Sequence, residues 1–142
     1  MKQLFFTSIF LFSFVINLQN QSIDKEIRTQ VNEISIKDSF TFDDYVIRFV
    51  NVLSDSRCPK GVMCVQAGAA IVKVVVYKSG KPIQNHNMTF TPNGYFPNNK
   101  GNLFNSETLK ITSIGLLPYP KPETQIIKEN YTLKLLIEEE VE

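Results

Sequence analysis

Apolar and polar residues along most of this chain follow the two-residue period of β-strands. From Ile34 onward, short runs of alternating or continuous apolar residues are separated by residues typical of turns. No helix-period pattern of useful length occurs in this part of the sequence. The pattern predicts six strands, over residues 33–41, 45–53, 69–77, 83–91, 109–117 and 131–137.

Three details of this pattern predict where individual strands lie. Strand 69–77 is apolar on both faces, which is typical of a central, covered strand. In strand 45–53, Val52 breaks the alternation begun by Tyr45, Ile47 and Phe49, and this predicts a bulge near residues 50–51. In the last strand, Lys134 faces away from the apolar side chains, so that one side is expected to be wet.

Short strands joined by long loops favour one all-β domain over residues 33–142. We expect a single Greek-key, immunoglobulin-like β-sandwich, with a small open β-barrel as the alternative. Residues 21–32 form a short, polar segment, and they are interpreted as a linker or N-terminal arm. The acidic residues at the C-terminus are interpreted as a solvated tail that blunts the edge of the last strand: Glu138, Glu139, Glu140 and Glu142.

The N-terminal segment is typical of a secretory signal. Lys2 precedes an apolar run from Leu4 to Leu18, which is shorter than the roughly 20 residues that a spanning helix needs. An uncleaved membrane anchor is the alternative. We expect a signal peptide over residues 1–20, cleaved between Leu18 and Ser22, and therefore a secreted or periplasmic protein with no stable membrane span.

The two cysteines of the chain, Cys58 and Cys64, are expected to form a disulfide, because an exported chain meets an oxidising environment. Pro59 and Gly61 supply a turn that brings the sulfurs together. In the chain-entropy model so short a loop stabilises the fold by about 2.4 kcal/mol. A redox or metal pair is the alternative, although this spacing is not that of thioredoxin-type centres and His86 is the only histidine.

Charge and composition favour a role outside catalysis. Without Lys2, the 15 basic residues fall to 14, which equals the 14 acidic residues, so the domain has no general attraction for nucleic acid. No serine lies in a nucleophile elbow, and His86 lacks the partners of a catalytic triad. Asp43 and Asp44 are adjacent on the chain and are interpreted as a turn or solvated edge rather than a cation site. We predict no catalytic residue, no metal and no cofactor.

The most distinctive stretch is the sequence around the cysteines. It reads Asp55-Ser56-Arg57-Cys58-Pro59, then Gly61-Val62, Cys64-Val65 and Ala67-Gly68. This stretch resembles a motif, D-S-R-C-P followed by C-V/I-W-A-G, of an uncharacterised family of small secreted or lipid-anchored bacterial proteins, common among Bacteroidetes. Residue 66 departs from the motif, because this chain has Gln66 where the family often has Trp.

The resemblance extends over roughly residues 35–138. Leu116-Leu117-Pro118-Tyr119-Pro120 and Tyr131-Thr132-Leu133 also resemble the end of that family. The resemblance implies export from the cytoplasm and a fold shared with that family, but it implies no activity.

Two loops are candidate binding sites. The first contains Arg57, which is either an exposed recognition residue oriented by Asp55 or a structural residue packed across the loop. The second contains Tyr95 and Phe96, which form either a platform for a glycan or peptide or a plug that caps the sandwich. We expect a non-enzymatic exported binding or structural accessory domain of the cell envelope, with a protein or glycan as partner. The alternative is a proteinaceous inhibitor of an extracellular hydrolase.

Overall fold

The chain folds into a sandwich of two antiparallel sheets, seen in a computed structural model that describes residues 25–92 and 101–141. The strands are β1 (Glu26–Ser35), β2 (Ser39–Phe42), β3 (Tyr45–Asp55), β4 (Ala70–Lys78), β5 (Lys81–Phe90), β6 (Asn102–Asn105), β7 (Leu109–Leu117) and β8 (Thr132–Val141). A 3-10 turn, Lys128–Asn130, precedes β8. The predicted all-β sandwich is confirmed, and the sheets do not close into a barrel.

The two sheets differ in strand order. Sheet A has the order β1-β8-β7-β6, and sheet B has the order β2-β3-β4-β5. Sheet A has a Greek-key order, because β1 lies beside β8 and is joined to β6 only through all of sheet B. Sheet B is a meander, in which each strand pairs with the next along the chain, so it lacks the strand order of an immunoglobulin domain.

The core lies between the sheets and comes from alternate residues of each strand, because successive side chains of a strand point to opposite faces. Fully buried side chains come from both sheets: Ile47, Phe49, Val72, Val74, Val76, Met88, Leu103, Ile111, Leu133, Leu135 and Ile137. The central position predicted for strand 69–77 is confirmed, since β4 lies between β3 and β5. The predicted bulge is also present, as a register shift between Phe49 and Asn51.

Four predictions from the sequence are corrected by the structure. β1 begins at Glu26, so the linker interpretation is wrong from that residue on. Strand 33–41 is two strands in different sheets, separated by a turn in which Lys37 has a φ of 70°. β6 lies between the predicted strands 83–91 and 109–117, in a segment that was expected to be a loop. β8 is an interior strand between β1 and β7, so the acidic residues 138–140 do not blunt an edge.

The polar sequence of β1 explains why the pattern of apolar residues did not predict this strand. Gln30 pairs with Ile137 and Asn32 with Leu135, so these polar residues share a face with core residues of β8. Ile27 and Val31 are therefore directed to the outer face, where they are exposed. The apolar pattern is inverted along this strand until Ile34, which is buried.

Within residues 25–92 and 101–141, no helix has the length and apolar character required to cross a membrane. The proposed signal segment lies outside the described residues.

Candidate functional site

A buried ion pair lies where β3 ends and the cysteine loop begins. The Arg57 guanidinium donates to both carboxylate oxygens of Asp55, with Nε–Oδ1 at 2.9 Å and Nη2–Oδ2 at 2.6 Å. The backbone N–H of Arg57 also donates to Oδ1 at 3.1 Å. The two side chains are only 3% and 8% exposed. This two-point geometry fixes the direction of the guanidinium.

The same guanidinium ties sheet B to sheet A. Its Nη1 donates to the Leu116 carbonyl and its Nη2 to the Pro118 carbonyl, each at 2.9 Å. These carbonyls lie at and just beyond the end of β7. The Arg57 Cζ atom also lies 5.1 Å from the centroid of the Tyr119 ring. Arg57 therefore joins the ends of β3 and β7 from inside the fold.

Tyr131, which directly precedes β8, completes this buried cluster. Its hydroxyl donates to Asp55 Oδ2 at 2.9 Å. Burial alone would raise the pKa of the Asp55 carboxyl, but hydrogen bonds from Arg57 and Tyr131 outweigh it, and the pKa lies below its usual 3.8. Burial, together with the hydrogen bond to the Asp55 carboxylate, raises the pKa of Tyr131 from 10.0 to about 12. The ionised pair and the neutral phenol are thus the stable forms over the ordinary pH range.

Backbone contacts extend the β3–β4 ladder past Asp55 and position the loop. Ser56 and Ala69 exchange two bonds, from the Ser56 N–H to the Ala69 carbonyl and from the Ala69 N–H to the Ser56 hydroxyl. The Cys58 N–H donates to the Ala67 carbonyl at 2.9 Å. Gly68 has a φ of +65°, and a Cβ there would lie 1.7 Å from the Ser56 carbonyl oxygen. Only glycine fits at this close approach of the two chain segments.

The predicted disulfide is present, with a Cα–Cα distance of 6.0 Å between Cys58 and Cys64. Inside the ring, the Val62 N–H donates to the Pro59 carbonyl and Gly61 has a φ of 81°, which is a type II turn. The Tyr119 hydroxyl donates to the Cys58 carbonyl at 2.9 Å. The ring is therefore closed covalently and attached to the loop that follows β7.

The outer end of the ring has the opposite character. We define the tip as Val62 and Met63, inside the ring, together with Val65, which directly follows Cys64. Met63 is 99% and Val65 105% exposed, while Val62 is 45% exposed. A groove of about 550 Å³ adjoins the tip, lined in part by Pro59, Val62 and Tyr119. Three apolar side chains thus project from a loop whose base is fixed.

The structure places the predicted site residues differently from one another. Arg57 is 5% exposed, so its guanidinium faces the interior, as the structural interpretation of this residue requires. Tyr95 and Phe96 lie outside the described residues. His86 lies on β5, with its Nε2 atom 2.9 Å from the Leu103 carbonyl of β6. In residues 25–92 and 101–141, no group of three His, Cys, Asp or Glu side chains could hold a metal ion.

Sequence reasoning missed the tip. It considered Arg57 because arginine is a common contact residue, whereas it treated Met63 only as a residue enclosed by the two cysteines and Val65 only as part of the motif. A signal was present, because these apolar residues lie between turn residues and belong to no alternating run. They therefore have no strand to bury them.

Comparison of the chain with protein-family models, with curated proteins and with solved structures finds no match.

Proposed function

We propose that this chain is an exported, non-enzymatic binding domain of the cell envelope, and that the tip is its contact surface. The observation that carries the proposal is the full exposure of Met63, inside the disulfide-closed ring, and of Val65, which directly follows it. The apolar segment Leu4–Leu18 and the disulfide support export to a secreted or periplasmic location. The resemblance of the cysteine motif to secreted bacterial proteins supports the same compartment.

The energetics of the tip favour binding over a purely structural role. Exposed side chains lose nothing on unfolding, so Met63 and Val65 contribute little to stability. Full burial of one such side chain by a partner would provide about 1.5–3 kcal/mol. The disulfide and the buried Arg57 hold the ring, so little conformational entropy remains to be lost on binding. The apolar surface of the tip therefore adds little to the stability of the fold, but its burial by a partner would be favourable.

The chemistry of the tip suits a protein better than a glycan. The valine side chain forms no hydrogen bonds and the methionine sulfur is only a weak acceptor, whereas a sugar presents hydroxyl groups that need strong partners. A protein recess lined by apolar side chains would cover the tip without leaving polar groups unpaired. Within the proposal, Arg57 positions the loop and does not touch the partner.

A second candidate function is inhibition of an extracellular hydrolase. It is favoured by the projection of Met63 and Val65 beyond a covalently closed base, since such a loop can occupy an active-site cleft. In that case the chain would reduce the activity of a secreted endopeptidase in proportion to added protein, and serine at positions 63 and 65 would abolish the effect.

The proposal is tested by photo-crosslinking in cells that export the protein. The photoreactive residue p-benzoylphenylalanine is placed at Met63 and, in a control variant, at Lys81. Lys81 is exposed in the β4–β5 hairpin, at the opposite end of the sandwich from the disulfide. We expect a discrete crosslinked protein from position 63 and none from position 81.

A second pair of variants determines whether that product depends on the tip. Serine at Val65 should weaken the crosslink from position 63, whereas serine at Ile83, which is exposed on β5, should not. Equal crosslinking from positions 63 and 81, or no product from position 63, would contradict the proposal.

A further inference from the structure

Within residues 25–92 and 101–141, the outer edge of β1 differs from the other three edges of the two sheets. Among the described strands, β2 and β6 are edge strands of four residues each, and β5 begins with Lys81-Pro82. Short edges, lysine and proline all oppose pairing with another strand. β1 has ten residues and contains neither lysine nor proline. β1 does carry Glu26, Arg28 and Glu33, but among the described edge strands it is the one that is both long and free of lysine and proline.

The hydrogen-bonding phase of β1 identifies the backbone groups at this edge. The Ile36 N–H donates to the carbonyl of Tyr131, the residue directly opposite when the β1–β8 register is continued. Hydrogen-bonded pairs alternate along an antiparallel ladder, and this register has no shift. Even-numbered residues of β1 therefore bond to β8. The odd-numbered residues direct their N–H and C=O groups away from it: Ile27, Thr29, Val31 and Glu33.

Apolar side chains accompany these free backbone groups. Ile27 is 65% and Val31 56% exposed, and both lie on the outer face of sheet A. They are four residues apart, with Thr29 midway between them. This spacing makes the strand self-complementary, because a two-fold axis at Thr29 exchanges positions 27 and 31.

We propose that two copies of this chain pair through β1, antiparallel and centred on Thr29. Ile27 of each copy then lies opposite Val31 of the other, and these apolar pairs form twice per dimer. The odd-numbered residues become hydrogen-bonded pairs across the interface. The two A sheets join into one continuous sheet of eight strands, and the outer edge of β1 is covered.

Charge favours this register over its neighbours. Around Thr29, Arg28 faces Gln30 and Glu26 faces Asn32 of the second copy, so no like charges meet. An axis at Arg28 would place the two Arg28 side chains opposite each other, which is destabilising. An axis at Gln30 would place Ile27 opposite the charged Glu33. Ile27 lies opposite Val31 only when the axis is at Thr29, and only this register forms two apolar pairs.

The dimer leaves both tips free. The disulfide loop lies at the end of the sandwich where β1 ends, because Asp55 bonds to Tyr131 and the next residue, Thr132, pairs with Ser35. Antiparallel pairing of β1 therefore puts the two loops at opposite ends of the dimer. Dimerisation does not depend on the function proposed for the tip, but it would make that function bivalent.

Analytical ultracentrifugation of the exported, purified protein tests the proposal across a dilution series. We expect a monomer–dimer equilibrium whose dissociation constant rises at least about tenfold in Val31→Lys, because a charge replaces an apolar pair twice. The matched control is Ile114→Lys, which changes an exposed apolar residue on β7, away from the edge. It should leave the equilibrium unchanged. Circular dichroism confirms that both variants fold.

A disulfide trap keeps the test decisive if Val31→Lys fails to fold. In the proposed register the two residues at position 29 are a hydrogen-bonded pair, with Cα atoms about 5.5 Å apart, within the range of a disulfide. Thr29→Cys should form a covalent dimer on mild oxidation, whereas Gln30→Cys, which faces Arg28, should not. A wild type that stays monomeric at its highest soluble concentration, equal trapping at both positions, or crosslinking of Thr29→Cys to a different protein would overturn the proposal.

Discussion

The base and the tip of the cysteine loop are a few residues apart but have opposite environments. At the base, Arg57 is buried and makes hydrogen bonds to Asp55 and to two carbonyls at and just beyond the end of β7. At the tip, Met63 and Val65 are fully exposed. The most conspicuous residues of the motif therefore hold the fold together, while the least conspicuous ones lie in solvent.

The largest expected effect follows from removing the buried cation. Arg57→Leu leaves the Asp55 carboxylate buried without its main partner, and this should lower the free energy of unfolding by about 3–5 kcal/mol. The matched control is Lys110→Leu, which breaks an exposed ion pair with Glu138 and should cost less than about 1 kcal/mol. Urea denaturation measures both. Similar losses in the two variants would show that Arg57 does not stabilise the fold as described.

The close approach at Gly68 gives the next largest effect. Gly68→Ala introduces a Cβ that overlaps the Ser56 carbonyl, in addition to an unfavourable positive φ, and should cost about 2–4 kcal/mol. Gly61 also has a positive φ, but a Cβ there would meet nothing within 4 Å. Gly61→Ala should therefore cost only about 1–2 kcal/mol. Thermal unfolding compares the two variants, and equal losses would contradict the packing described at Gly68.

Most of the architecture was predictable from sequence, because alternating apolar residues determine which face of a strand is buried. The prediction was wrong for β1, where Gln30 and Asn32 share a face with core residues of β8. The disulfide followed from compartment and spacing. The cluster of Asp55, Arg57 and Tyr131 joins residues far apart in sequence, and no local pattern determines such a contact. For this reason the sequence left open whether Arg57 was exposed or buried.

The disulfide should stabilise the fold by a smaller amount than the ion pair. Replacing Cys58 and Cys64 together with alanine should lower the free energy of unfolding by about 2.4 kcal/mol, through the greater entropy of the unfolded chain. The cluster around Arg57 should persist, because none of its bonds involves a sulfur atom. Near-ultraviolet circular dichroism of the tyrosines measures whether the cluster persists. Loss of that signal under native conditions would show that the disulfide ring is needed to hold the base of the loop.

The pH dependence of stability should have an acid limb and an alkaline limb. The pKa of Asp55 is lowered, so its contribution is present above 3.8 and is lost as the pH falls further. The pKa of Tyr131 is raised to about 12, so its contribution is present below 10.0 and is lost between there and about 12. Thermal unfolding from pH 2 to 12 tests both limbs. Tyr131→Phe should remove the Tyr131 contribution to the alkaline limb, and an unchanged limb would contradict this assignment.

The base of the loop stabilises the fold, and the tip does not. The most direct measurement is urea denaturation of the double variant Met63→Ser, Val65→Ser beside Arg57→Leu. We predict that the double variant unfolds within about 0.5 kcal/mol of the wild type, because both side chains are already in water. Arg57→Leu should lower the free energy of unfolding by several times this amount. A double variant that loses as much as Arg57→Leu would contradict the account, since the tip would then be part of the fold.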